Sequence, residues 1–410
     1  TAMASGFRGD ERFDLAVLYG RIAFPYILFI SLAALLSGVL NATGRFVAAA
    51  AAPVLLNVIF IIAMVIAAAG CKCTPMELQE NTGTHLAWAV PIAGVAQLAL
   101  VWWAAKRTGF GLSLRLPRWT PELKRLFIIA APAALAGGVV QVNLLVGRQV
   151  ASYFDGAVAW LSYADRLYQL PLGVVGIAIG VVLLPDLSRR LQSGDEAGGR
   201  DAFNRAAEFS LALTVPAAVA LVVIPVPLVE VLFQRGAFSF DDTAATALAV
   251  TVYGLGLPAF VMQKALQPLF FAREDTKRPF YYALVAMVVN AVVAIGLAGT
   301  VGYIAAALAT TLAGWIMVLL LWAGSRKMGE AARFDARFKS RLWRIVLASV
   351  LMGIALKGVE LIVGPGLGIA GVRYVALAVL VVCGIGAYAL AGSLLRAFRL
   401  REFRSALRRG

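Results

Sequence analysis

The chain has 410 residues, of which 61% are hydrophobic and 14% charged, with a formal net charge of +15. A soluble domain carries about 25% charged residues, so a water-facing surface is excluded for most of this chain. Apolar blocks of about twenty residues, the length a helix needs to cross a bilayer core, identify an all-α polytopic membrane protein rather than a barrel of short alternating strands.

The polar opening TAMASGFRGDERFD has no basic region leading into a short apolar core, so no signal peptide is expected in it. About eleven spans follow, at 18–40, 46–69, 86–105, 126–152, 160–185, 206–232, 243–265, 281–299, 301–322, 342–363 and 370–395. The segments after the odd-numbered spans are NATGR, KRTGFGLSLRLPRWTPELKR, SRRLQSGDEAGGRDAFNR, FAREDTKRP, SRKMGEAARFDARFKSRLWR and the tail RAFRLREFRSALRRG. They hold 27 of the 37 Lys and Arg residues, whereas the opposite side has Arg8, Arg12, Lys72, Arg235 and Arg373. Such a bias in short loops sets orientation: the six basic segments face the cytoplasm, the first residues lie outside and the C-terminus inside.

The positive charge is thus matched to anionic lipid headgroups. Nucleic-acid binding would need a soluble face interleaving basic and stacking aromatic residues, and no segment has that pattern. SLRLPRWTPELKRLF and FRLREFRSALRRG read as amphipathic helices lying in the interface. Cys71 and Cys73 share an outer loop, where a C-x-C bridge would be strained, and Cys383 reads as a small apolar packing residue. The only histidine, His85, has no clustered carboxylates in sequence, so neither a metal site nor a His-activated nucleophile is expected.

Five basic residues fall within spans: Arg21, Arg148, Arg166, Lys264 and Lys357. A charge at mid-bilayer costs about 3 kcal/mol even on insertion scales, so each needs a partner, water or a nearby interface. Arg21 and Lys264 lie near span ends and read as snorkelling side chains. Lys357 and Glu360, three residues apart, can pair locally.

Arg148 belongs to GGVVQVNLLVGRQVASYF, with Gln141 and Asn143. Gly138, Gln141 and Arg148 share one small, polar face, which suits a cavity, while a snorkelling role for Arg148 stays open. Arg166 belongs to LSYADRLYQLPLGVVGIAIGVVLLPDLSRR. Asp165 beside it is expected to neutralise or orient it. Pro171 and the glycines at 173, 176 and 180 make the helix bendable and closely approachable, with Pro171 and Gly173 as hinge candidates. Two arginines on antiparallel neighbours facing a common interior make an anion site, and phosphate matches the guanidinium fork best. The candidate substrate-binding set is Arg166, Asp165, Arg148, Gln141 and Asn143.

RIAFPYILFISLAALLSGVLNATGRF, SYADRLYQLPLGVVGIAIGVVLLPDLSRR, VEVLFQRGAFSFDDTAATALAVTVYGLGLPAF and LFFAREDTKRPF resemble, in this order, signature segments of the MviN/MurJ family, the bacterial lipid II flippases of the MOP transporter superfamily. The resemblance covers nearly the whole chain from about Gly6. It implies a two-lobe helical bundle with two extra C-terminal helices. The family has fourteen spans with both termini inside, so these eleven match its fourth to fourteenth and its first three are expected to be absent. The implied divisions are 1–119, the remainder of the N-lobe; 120–325, the C-lobe; and 326–410, the last helix pair, which forms a groove for an isoprenoid tail, with its basic tail.

Several of the family's cavity arginines sit on its first two spans and cannot be carried over. The one in the ADR segment corresponds to Arg166. Gln169 stands where some members have an acidic residue, and Arg148 where others often have a neutral one. The implied activity is translocation of lipid II across the bacterial inner membrane for cell-wall synthesis, by a monomer that is not an enzyme and needs no cofactor beyond a coupling ion or the membrane potential. Membrane lipids and lipid II are the implied partners. The alternatives are another exporter of the superfamily, carrying drugs or lipid-linked saccharides, and an inactive fragment or scaffold. Scarce intramembrane Asp and Glu count against a cation-binding drug exporter.

Overall fold

The computed structural model describes residues 5–7, 11–43, 45–70, 74–108, 120, 121, 124, 141, 144–178, 183–369 and 371–397. Among them the regular structure is helical. α1 is Glu11–Ala23, α2 Tyr26–Ala42, α3 Phe46–Gly70 and α4 Pro75–Lys106; α5 covers 144–151. Then come α6 Ala157–Ala178, α7 Leu184–Gln192, α8 Glu196–Val223, α9 Pro225–Phe233, α10 Phe240–Phe271, α11 Lys277–Val301, α12 Ile304–Ser325, α13 Ala336–Leu367 and α14 Val372–Leu394.

Nine candidate crossings are long and apolar enough among the described residues. Two expected spans are not among them. The one at 126–152 lies outside the described residues except for Gln141 and 144–152. The one at 160–185 is helical as α6 as far as Ala178, and its apolar continuation at 179–182 lies outside the described residues. Prolines explain two further departures. The span at 18–40 is interrupted at Phe24–Pro25, because proline lacks the N–H that would continue the ladder, although α1 and α2 still form one crossing segment. The span at 206–232 begins earlier, at Glu196, and splits at Ile224, which Pro225 holds out of helical geometry (φ −124°, ψ 44°).

The chain divides into two compact units, Phe7–Leu126 and Phe127–Gly410 with Thr1–Gly6. In the smaller, α4 packs against α1, α2 and α3. Its core includes Leu36, Leu40, Ala52, Val101 and Ala105. The buried Gln97 amide donates to the Ala52 carbonyl (2.9 Å) and accepts from the Tyr26 hydroxyl (3.3 Å), which satisfies a polar group inside an apolar bundle. Thr74 and Glu77 form a capping box at the start of α4.

In the larger unit α10 is the central helix, in contact with α6, α8, α9 and α12. Phe203, Ala207, Leu257, Leu266, Leu269, Phe270 and Leu321 form its dry core. A second cluster joins α9, α13 and α14 through Val231, Met352, Leu356, Leu367 and Leu380. Cys383 is exposed on α14 rather than packed, since α14 turns its Leu380–Gly384 face to α13.

A polar clamp holds the start of α13 to α8. Glu208, 7% exposed, receives Arg205 (3.0 Å), Arg337 (3.4 Å) and Arg341. Arg205 also pairs with Asp335, the N-cap of α13. Asn204 donates to the carbonyl of Arg333 (2.9 Å) and accepts from the amide of Asp335 (3.0 Å). At the start of α8, Glu196 accepts from the amide of Ala331 (2.8 Å) and from Arg273 (3.2 Å). Every carboxylate of this cluster has a cationic or amide donor, which offsets its loss of water.

Candidate functional site

α6 has two unlike faces. Ala157, Leu161, Ala164, Leu167 and Val175 are buried in the core of the larger unit. Tyr168 lies against Tyr253 and Phe260 of α10, with ring centroids at 5.0 and 5.4 Å. At one end of the helix Trp160 donates to Asp242 (2.7 Å) and meets Tyr303 edge to face at 5.1 Å. These contacts fix the rotation of α6 about its own axis.

The other face is then determined by helical periodicity. Ser162, Arg166, Gln169 and Gly173 follow each other at intervals of four, three and four, which is one stripe. All four are exposed. Elsewhere on this unit the exposed membrane-spanning surface is largely Leu, Val, Ile and Phe, as at Val292, Ile295, Leu319 and Val382. A polar stripe on a membrane helix belongs at an aqueous cavity, not at lipid.

The structure separates Asp165 from its sequence neighbour. Consecutive helical residues point about 100° apart, so Asp165 and Arg166 do not face each other. The Asp165 carboxylate accepts instead from the side-chain amide of Gln169, one turn on. It also lies within electrostatic reach of Arg148 on α5 and of Arg166. The expected adjacent ion pair is therefore replaced by a carboxylate–amide bond: among the described residues Arg166 makes no close ion pair, and Asp165 acts on it only at longer range.

Arg148 is exposed on α5 and, among the described residues, also lacks an ion pair. Gln141 is helical and exposed; Asn143 lies outside the described residues. Of the hinge candidates, Pro171 sits inside a continuous α6. Gly173 has no atom within 4 Å of where a Cβ would be, so it is not a point of close approach.

That role falls to Gly176. A Cβ there would stand 3.1 Å from Cδ and 3.3 Å from Cε of Lys264, so the lysine stem crosses α6 where the side chain is missing. Lys264, on α10, is exposed and has no acidic partner among the described residues. Reading it as a snorkelling residue missed this, because no sequence spacing links positions 176 and 264. Lys357 provides the contrast: its ammonium is bonded to Glu360 at 2.7 Å, as the three-residue spacing predicts.

Arg148, Arg166 and Lys264 are thus brought to α6 with no ion pair among the described residues, the Asp165 carboxylate lying within electrostatic reach of both arginines. Ten residues of helix, about 15 Å, separate Arg166 from Gly176. Such an arrangement can hold a polyanionic group and pass it along one helix face, with the guanidinium as the planar two-point contact.

The family model described as lipid II flippase MurJ matches residues 1–380. Relatives named "Probable lipid II flippase MurJ" from Rhizobium tropici and Rhizobium meliloti (strain 1021) are 43% and 44% identical, each over 86% of this chain. The chain spans 65% of the length of both. The solved structure "Lipid II flippase MurJ, inward closed conformation" superposes with a TM-score of 0.76 at 23% identity, covering 96% of this chain and 77% of that one, which shows a common fold. By the extent of the family match and the identity to these relatives, the chain belongs to the lipid II flippase MurJ family.

Proposed function

We propose that this protein translocates lipid II from the cytoplasmic to the outer leaflet of the bacterial inner membrane by alternating access. The observation that carries this reading is the exposed stripe Ser162–Arg166–Gln169–Gly173, continued by Lys264, on a chain whose relatives are named for that substrate. The substrate pyrophosphate would meet Arg166, with Arg148 and Lys264 as flanking cations. Its isoprenoid tail stays in lipid beside the α13–α14 pair. Nothing covalent happens to the substrate, so the protein acts as a transporter and not as an enzyme, and it works as a monomer. A coupling ion or the membrane potential supplies the direction.

The test is translocation of fluorescent lipid II by the purified chain in liposomes, read as accessibility of the label to an impermeant quencher. Exchange faster than in protein-free vesicles is expected. Vesicles that hold the protein yet behave like empty ones would refute the proposal for this chain.

The proposed orientation makes a separate prediction. Single cysteines placed in 106–125, 189–205 and 326–344 of a cysteine-free variant should escape a membrane-impermeant thiol reagent in intact cells, and one in 71–85 should react. Reaction of the 326–344 site from outside would reverse the orientation.

Asp165 is proposed to act through Arg166, keeping its surroundings polar and, by engaging Gln169, leaving the guanidinium unpaired. Asp165→Asn should cost less translocation than Arg166→Ala, and the double variant should be no worse than Arg166→Ala alone. Losses that multiply would show two independent roles.

A further inference from the structure

A groove of about 490 Å³ runs along the larger unit between α8, α10, α12 and α13. Leu211 and Val215, Met262 and Leu266, and Val318 and Leu319 furnish its apolar walls. It extends over about three turns from the loop between α12 and α13, so it spans one leaflet and not two. Leu319 and Trp315 are 55% and 40% exposed, which leaves it open to the side.

The end of the groove at that loop is basic. Lys339 lines it, and the guanidinium of Arg326 lies 3.8 Å from the centroid of the Trp322 ring, another lining residue. Of the acids in this region, Glu208 and Asp335 are engaged by Arg205, Arg337 and Arg341, and Glu196 by Arg273, while Glu330 is exposed in the same loop and forms no ion pair with Arg326 or Lys339 among the described residues. Among the described residues Lys339 and Arg326 have no acidic partner, and both are exposed. Two uncompensated cations above an apolar slot of this size complement one anionic headgroup and one acyl chain.

We infer that this groove is a binding site for an anionic glycerophospholipid, with its phosphate on Lys339 and Arg326 and an acyl chain along Met262 and Val318. The transported lipid is a different molecule in a different place. Lys264 is two residues from Met262 and from Leu266, some 200° around α10, so the groove and the cationic stripe occupy opposite faces of that helix. α6 contributes nothing to the lining. Assignment to the inner leaflet rests on the orientation proposed above, whereas lipid preference does not depend on sidedness or transport.

The experiment is native mass spectrometry of the purified chain in detergent, titrated with phosphatidylglycerol or with phosphatidylcholine of the same acyl chains. Wild type should retain one phosphatidylglycerol in preference to phosphatidylcholine. The exposed double substitution Lys339→Gln/Arg326→Gln should weaken phosphatidylglycerol roughly thirtyfold, to the level of phosphatidylcholine. Leu319→Trp, which occludes the slot from an exposed position, should weaken both lipids. An unchanged preference in the double variant overturns the site. One-for-one displacement of the retained lipid by undecaprenyl pyrophosphate would assign the groove to the substrate tail, and equally overturns the inference.

Discussion

Replacing Arg166 by alanine is expected to abolish lipid II translocation in liposomes while leaving the amount of folded protein unchanged. Its guanidinium is exposed and makes no close ion pair among the described residues, so folding gains little from it. A phosphate docked against it would lose a charged, two-point contact worth about 3 kcal/mol, roughly a hundredfold in rate or affinity. Lysine keeps the charge and loses one of the two parallel bonds. Arg166→Lys should therefore retain partial activity, down roughly tenfold. A merely structural arginine predicts the reverse, with lysine fully active and alanine poorly folded. Wild-type translocation by Arg166→Ala at normal abundance would remove Arg166 from the substrate path.

Glu208→Ala is expected to produce the largest loss of stability. It removes the Glu208 carboxylate from Arg341, only 11% exposed at its side chain, and from Arg205 and Arg337 as well. Breaking a buried pair in this way costs about 3–5 kcal/mol, because a largely desolvated guanidinium loses a hydrogen-bonded carboxylate that water does not replace. Thermal unfolding in detergent should show a drop of several degrees. The double variant Glu208→Leu/Arg341→Met should recover much of it, since removing both charges removes the penalty. Lys357→Ala is the control: its ammonium is 61% exposed, and loss of its bond to Glu360 should cost about 0.5 kcal/mol. Equal melting of Glu208→Ala and wild type would show that the clamp contributes nothing.

Helix content, the apolar crossings and the Lys357–Glu360 pair were legible because each depends on local spacing. Arg166 stood out for the same reason, as a charge beside an uncharged run. The breaks at Phe24–Pro25 and Ile224 could also have been read, since FPYI and IPVP each place proline where the ladder must fail. What could not be read depends on packing. The partner of Asp165 is decided by helix rotation, so Gln169 won over the adjacent Arg166. The approach of Lys264 to Gly176 joins residues 88 positions apart, and nothing in either neighbourhood signals it. The role of Glu208 is equally hidden, because two of its three arginines lie about 130 residues away.

That separation also has a meaning in time. Glu208 leaves the ribosome 133 residues before Arg341. At synthesis rates of about 5–20 residues per second, on the order of ten seconds pass in which Arg205 is the only one of its three cationic partners already made. During that interval α8 must wait in the membrane with a carboxylate whose final shell does not yet exist, and the arrival of α13 completes it.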